Sequence, residues 1–239
     1  MHKTVRTPVA NLYRSHSFMS AQVTQALMGE TVEILDTHES WFKVRQWDDY
    51  ESWINGFYLM DAAHSSLDTH FFDRHTSQLI CDNGSEIYLP FGVKLPIQQK
   101  DEIAVTVILP WGDTGKCILP PKKNIENGVE HLIMNARKFN GVQYQWGGIS
   151  TFGCDCSGFV QTIYKSVGIK FPRDSHEQFN ENQKIDLEDA QRGDLLFFTE
   201  KDNIDHVAIS LGDSRIIHCS GFVKEESLNS SDSDYNSKL

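Results

Sequence analysis

The hydrophobic pattern of this chain changes period once, at Pro120-Pro121-Lys122-Lys123, and that change limits the folds open to it. Before it the sequence alternates in short runs: Thr31 to Leu35, Trp41 to Arg45 and Glu51 to Ile54, the last after a polar turn at Asp48-Asp49. Alternation of this length predicts half-buried strands, and the spacing of the turns suits a small β-barrel. From about Ser66 a second pass follows, in which Gly92-Val93-Lys94-Leu95-Pro96-Ile97 echoes Gly29-Glu30-Thr31-Val32-Glu33-Ile34. A second small barrel is expected there. After the prolines the spacing becomes helical: Val129, Leu132, Ile133, Ala136 and Phe139 share one face, and Phe159, Val160, Ile163, Tyr164 and Val167 another. Gly168 is placed to stop that second helix. Strands return at Leu195 to Phe198, Val207 to Leu211 and Arg215 to His218, with a turn expected at Gly212-Asp213. Helices followed by an antiparallel sheet make the last part α+β. From Lys224 onward Ser, Asn, Asp and Glu dominate, which predicts a mobile or incomplete tail.

Charge and cysteine usage narrow the chemistry. The 22 basic and 33 acidic residues of the 239 give a net charge of −11 without a basic cluster. Binding to nucleic acid or to an anionic membrane surface is therefore not expected. No run approaches the roughly 18 apolar residues of a membrane span, and the N-terminus lacks the apolar core of a signal sequence. A cytoplasmic protein is the expectation. The five cysteines (81, 117, 154, 156 and 219) are odd in number and scattered, which argues for free thiols in a reducing compartment. Cys154-Asp155-Cys156 is too tight for the usual zinc or redox spacing, so neither a metal nor another cofactor is expected.

The chemistry concentrates at Asp155-Cys156-Ser157-Gly158, His206 and His218. A thiol in the first turn of a helix meets unpaired N–H groups and the positive end of the dipole, which favour the thiolate and an oxyanion formed beside it. A nucleophile of this kind needs a base, and the base an orienting partner. His206 and His218 border two successive strand-like runs, so a tight hairpin brings them together; His206 is the better base and His218 the better orienter. A cysteine in an apolar helix is commonly an inert core residue, and either histidine alone reads as structural. The order and polar setting of the three together favour catalysis.

These residues sit in segments that resemble the NlpC-type cysteine peptidases of bacterial cell-wall metabolism, which have a papain-like fold. The segments are Tyr144-Gln145-Trp146-Gly147-Gly148, Asp155 to Gln161, Phe171-Pro172-Arg173-Asp174-Ser175, Gly193 to Phe198, His206 to Ile209, and Leu211-Gly212-Asp213 running on to His218. The whole chain is similar to γ-D-glutamyl-L-diamino acid endopeptidases (dipeptidyl peptidase VI), with bacterial SH3-like domains at 1–64 and 65–122 and the peptidase domain at 123–239. The resemblance implies Cys156 as nucleophile, His206 as base and His218 as third polar member. It implies substrate contacts from Tyr50 and an acid of the first barrel, Glu30 in preference to Glu39, and from Tyr144, Trp146, Asp155, Ser157, Asp174 and Ser175. Local roles compete at several of these: Tyr50 as a barrel aromatic, Trp146-Gly147-Gly148 as a packed turn, Asp174 and Ser175 as a helix cap. The implied partner is a small murein peptide of the L-Ala-γ-D-Glu-diaminopimelate type with a free amine, cut during wall recycling. Family members usually continue past the last histidine with a further strand, which this polar tail does not promise. The alternatives are a Cys-His amidase or acyltransferase on another acyl group, or a non-catalytic peptide-binding module. A free-amine reader at one end of the cleft favours the peptidase, and the intact trio of Cys156, His206 and His218 disfavours the binding module.

Overall fold

The computed structural model describes residues 1–62, 66–121, 128–200 and 203–237, without the side chain of residue 200. The chain divides into two compact units, Met1–Asn124 and Ile125–Leu239. The expected boundaries at 64/65 and 122/123 lie outside the described residues.

In the first unit, strands β1 (His2–Val5), β2 (Val9–Tyr13), β3 (Gln22–Leu27), β4 (Thr31–His38), β5 (Trp41–Arg45), β6 (Glu51–Asn55) and β7 (Leu59–Asp61) form one sheet. Its order is β3-β2-β6-β5-β4-β1-β7, all antiparallel. Alternation explains the core: Ala10, Leu12 and Val44 each turn inward between less buried neighbours and bury completely, together with Ile54, beside Val5, Ala26 and Val32. Each large aliphatic side chain so buried contributes about 1.5–3 kcal/mol. A second sheet holds β8 (Thr69–Phe71), β9 (Thr76–Cys81), β10 (Glu86–Pro90), β11 (Lys94–Lys100), β12 (Ala104–Ile108) and β13 (Thr114–Ile118), in the order β10-β9-β13-β12-β11-β8. Both sheets are open in strand order, and no pairing of their edge strands closes either one among the described residues. The repeat is visible in the backbone, where Gly29 and Gly92 both take positive φ (86° and 97°) shortly before β4 and β11. At Gly29 the requirement is doubled, because a Cβ would run into the carbonyl of Lys94.

The second unit begins with α1 (Val129–Arg137), followed by the short pair β14 (Ile149–Ser150) and β15 (Gly153–Cys154), then α2 (Cys156–Ser166) and α3 (Ser175–Glu181). An antiparallel sheet of β16 (Leu195–Glu200), β17 (Asn203–Gly212), β18 (Arg215–Ser220) and β19 (Phe222–Ser227) completes it in simple sequential order. Phe139 and Phe159 meet edge to face, with ring centroids 5.5 Å apart, and lock α1 against α2. β19 corrects the expectation of a polar tail: Phe222 to Ser227 pair with β18 in an unbroken register. The family's closing strand is present. Val223 and Ser227 bury while the charged residues between them stay half-buried, so the strand is amphipathic in a way that its composition hides. Among the described residues, no helix is long and apolar enough to cross a membrane.

Candidate active site

Cys156 is the first residue of α2, and the local sequence dictates why the helix starts there. Asp155 has extended backbone and caps the helix, its Oδ1 accepting the Gly158 N–H at 2.7 Å. Its Oδ2 accepts the Gly147 N–H at 2.8 Å and pairs with Arg173 Nη2 at 2.6 Å. Arg173 also donates to Ser157 Oγ at 2.9 Å, and that hydroxyl reaches back to Asp155 Oδ1 at 3.3 Å. The glycines let the segments approach: a Cβ on Gly158 would collide with the Gly148 carbonyl, which itself accepts the Asp155 N–H. The side chain of Arg173 is 1% exposed. Asp155 and Ser157 meet it directly and offset the cost of burying its charge.

The Cys156 thiol is 7% exposed. Burial pushes it up to about 11, assisted by the Asp155 charge and opposed by hydrogen bonds from the backbone N–H groups of Val207 and Ser157. The helix start therefore acts in the expected direction, but desolvation outweighs it and the resting thiol keeps its proton at neutral pH. The same two N–H groups are placed to receive negative charge developing beside the sulfur. Cys154 is fully buried, with its sulfur 3.7 Å from that of Cys219. All five cysteines are free.

His206 on β17 and His218 on β18 come together through a β-bulge. The hairpin turns at Asp213-Ser214, whose positive φ values (51° and 58°) suit a tight two-residue connection. Gly212 pairs with Arg215, but the register then shifts before Ser210, so that Ala208 lies opposite His218. A turn at Gly212-Asp213 with regular pairing, as expected from sequence, would set His218 opposite Val207 and send the histidines to opposite faces. The bulge at Leu211 restores the parity. His206 and His218 become diagonal neighbours on one face, with His206 Nε2 and His218 Nδ1 2.8 Å apart. Burial lowers His206 to about 4, with the neighbouring His218 adding to the effect, and burial lowers His218 as well. Both imidazoles are neutral near pH 7.

The diagonal continues onto β19. His218 lies opposite Lys224, and Glu226, two residues on, holds His218 Nε2 at 2.7 Å through its Oε2. Sequence reading assigned Glu226 to a solvated tail. The available signal was Phe222-Val223 ahead of it, a short apolar start to a strand two residues after Ser220.

The other expected site residues are spread over both units. Tyr144 is half-buried, its hydroxyl raised by burial and further by the Cys156 and Asp155 charges. Trp146 is 65% exposed. Asp155 and Ser157 bond to each other and to Arg173. Asp174 occupies the cap position of α3 without a side-chain cap bond, and Ser175 opens that helix. In the first unit, Glu30 accepts the Leu27 N–H at 3.1 Å across the β3–β4 turn. Tyr50 ends the β5–β6 turn, its N–H held by the Asp48 side chain and its carbonyl by the Gln46 N–H. Glu39 lies at positive φ on an exposed turn. Among the described residues, no group of three or more His, Cys, Asp or Glu side chains is arranged to hold a metal ion.

Comparison with known proteins agrees with this geometry. A family model described as NlpC/P60 family matches residues 141–238, and one described as bacterial dipeptidyl-peptidase Sh3 domain matches residues 12–56. The γ-D-glutamyl-L-lysine dipeptidyl-peptidase of Bacillus cereus (strain ATCC 10987 / NRS 248) is 32% identical over 220 residues, covering 82% of this chain and 66% of that protein. Its namesake from Bacillus subtilis (strain 168) is 30% identical over 211 residues, covering 82% and 71%. The chain thus spans about two thirds of the length of these relatives. The crystal structure of an NlpC/P60 family protein from Bacillus cereus ATCC 10987 superposes with a TM-score of 0.86 at 25% identity, covering 97% of this chain and 95% of that one. With its thiol at a helix start and its histidine pair on the following sheet, the chain belongs to the NlpC/P60 family and is a cysteine peptidase carrying a bacterial dipeptidyl-peptidase SH3 domain.

Proposed function

We propose that this peptidase hydrolyses the bond between γ-linked D-Glu and the diamino acid in peptidoglycan stem peptides with a free N-terminal L-Ala, as a step in wall-peptide recycling. The observation that carries the reading is the placement of Cys156 at the start of α2, with the Val207 N–H on its sulfur and the adjacent His206 hydrogen-bonded to His218. In the reaction, His206 takes the thiol proton as the sulfur attacks the D-Glu γ-carbonyl. The N–H groups of Val207 and Ser157 receive the oxyanion, and the imidazolium returns its proton to the leaving amine. Water then resolves the thioester by the same route in reverse. His218 holds the ring of His206 in place.

The choice of bond rests on the relatives, two of which are named γ-D-glutamyl-L-lysine dipeptidyl-peptidases, and on the matching Sh3 domain. On the same ground we assign selection of the free amine to the first unit, with Tyr50 and Glu30 the residues to vary. A second SH3-like domain over the β8–β13 sheet belongs to the same proposal. Asp155, Ser157, Asp174, Ser175, Tyr144 and Trp146 are the further candidates for substrate contact, the first two holding internal partners as well.

The test is hydrolysis of L-Ala-γ-D-Glu-L-Lys and of the meso-diaminopimelate peptide, each beside its N-acetylated twin, read by mass spectrometry. Cleavage of the free peptides alone supports the full reading. Cleavage of both forms removes the amine requirement, and cleavage of neither by protein whose Cys156 still alkylates removes this substrate class.

A further inference from the structure

A polar diagonal crosses three strands of the second unit: His206 on β17, His218 on β18 and Glu226 on β19, each displaced by two residues from its cross-strand position. The spacing places all three on one face of the sheet. Two contacts join them, His206 Nε2 to His218 Nδ1 at 2.8 Å and His218 Nε2 to Glu226 Oε2 at 2.7 Å. Distances alone leave the proton positions open, but the chemistry of the end group closes them. An ionised carboxylate only accepts. Its partner nitrogen, His218 Nε2, must then carry the proton. A neutral imidazole has one N–H, so His218 Nδ1 is an acceptor, and His206 Nε2 must donate to it. This leaves the Nδ1 lone pair of His206 as the basic position, and that atom has no hydrogen-bond partner among the described residues.

We propose that Glu226 is a positioning residue that fixes the tautomer of His218 and, through it, presents the Nδ1 lone pair of His206 to the reacting thiol. The inference rests on the thiol–imidazole mechanism proposed above, but not on which peptide is cut. Without the carboxylate, His218 is free to carry its proton on Nδ1 and donate to His206 Nε2. His206 would then hold its own proton on Nδ1, facing the thiol as an N–H that cannot act as a base. The same wiring supports the charged intermediate, since the imidazolium at His206 keeps its Nε2–H directed at an acceptor.

Glu226 is built to stay ionised and in place. Lys224, two residues earlier on the same strand face, meets its Oε1 at 2.7 Å, and the Asn236 amide donates to Oε2 at 2.7 Å. The charged and titratable groups acting on His218 are Glu226, Lys224 and His206; those acting on His206 are His218, Glu226 and Lys224. Bonds from Lys224, Asn236 and His218 outweigh burial and hold the carboxyl of Glu226 below its usual range. The neighbouring Glu225 points elsewhere, to Arg137. It serves as a control on the same strand.

The test has a structural and a functional arm, neither of which needs the natural substrate. In protein labelled with nitrogen-15 at histidine, ring-nitrogen shifts at pH 7.5 should show His218 protonated on Nε2 and unprotonated on Nδ1. In Glu226→Ala this fixed pattern should give way to a tautomer mixture, and alkylation of Cys156 by iodoacetamide should slow by about tenfold, as expected when a base is held in the wrong tautomer. Glu226→Gln, which keeps a carbonyl acceptor for Nε2–H, should recover part of the rate and of the tautomer pattern. Glu225→Gln should change neither readout. A purely structural Glu226 would lower the melting midpoint and leave tautomer and alkylation rate as in the wild type, which overturns the proposal. If Glu226→Ala does not fold, the wild-type spectrum decides: a proton on His218 Nδ1 overturns it and a proton on Nε2 alone supports it. Failure to cleave stem peptides with these readouts intact would count against the substrate assignment and leave the role of Glu226 standing.

Discussion

Two buried polar networks of the second unit can be set side by side, and they differ in how they end. Asp155, Ser157 and Arg173 form a closed cluster: each carboxylate oxygen has two partners, and the guanidinium answers both the carboxylate and the hydroxyl. His206, His218 and Glu226 form a line anchored at Glu226, with an imidazole nitrogen at the other end that has no protein partner among the described residues. The closed cluster has no group to offer a reaction, and its energetics are those of a buried ion pair that fixes where α2 begins. The open line delivers a lone pair. Comparing them teaches that burial and charge do not by themselves separate structure from chemistry; whether an acceptor lone pair is left over does.

Removing the two reacting groups should have the largest effect. Cys156→Ala should abolish turnover, and His206→Ala should lower kcat by on the order of a thousandfold or more, with little change in the melting midpoint. Both are read by steady-state kinetics beside a thermal melt. Full activity in Cys156→Ala would remove the mechanism. Breaking the closed cluster should do the reverse. Arg173→Ala leaves the Asp155 charge without its partner and should destabilise the unit by about 3–5 kcal/mol in denaturant unfolding. If it lost activity with stability unchanged, Arg173 would belong to the chemistry and the contrast between the networks would fail.

Smaller effects sharpen the comparison. His218→Ala should cost kcat less than His206→Ala, about a hundredfold or below, because an orienter governs geometry and not the proton transfer itself. An equal loss in the two variants would mean that His218 shares the base role. The smallest predicted effect is on pH dependence. Since burial lowers His206 to about 4, the base stays neutral well below the ordinary imidazole range, and the acid limb of kcat/KM should fall toward pH 4 instead of near 6.5. Stability follows the same sign. Between about 4 and 6.5 the unfolded chain binds more protons at this imidazole than the folded one, so stability should decline as pH drops through that window. A limb near 6.5 would show that the ring is hydrated.

The candidate catalytic trio stood out in the sequence because each member is framed by apolar residues whose period gives away a helix or a strand. Cys156 precedes Phe159, Val160 and Ile163 on α2, and the histidines border Val207 to Leu211 and Ile216-Ile217. What it did not reveal depends on pairing. The bulge at Leu211 follows from how β17 settles against β18, and no residue type marks it; regular pairing would have parted the histidines. Glu226 was hidden because a half-buried edge strand with three successive charged residues reads as solvated sequence until its partner strand is known. Asp155 and Ser157 were expected at the substrate because the family resemblance implies it. Their engagement by Arg173 depends on the segment at Phe171-Pro172-Arg173 returning across α2, a tertiary contact no local pattern encodes. The first sheet was recognisable from the alternation of its short runs between polar turns.

The central claim is that His206 activates Cys156, and the rate at which iodoacetamide labels Cys156 tests it most directly. Labelling at pH 8 would be followed by intact mass and located by peptide mapping, in the wild type and in His206→Ala. The account predicts that label falls on Cys156, with the other four buried thiols unmodified on the same time scale, and that the variant reacts at least about tenfold more slowly. Equal rates in the two proteins would contradict it.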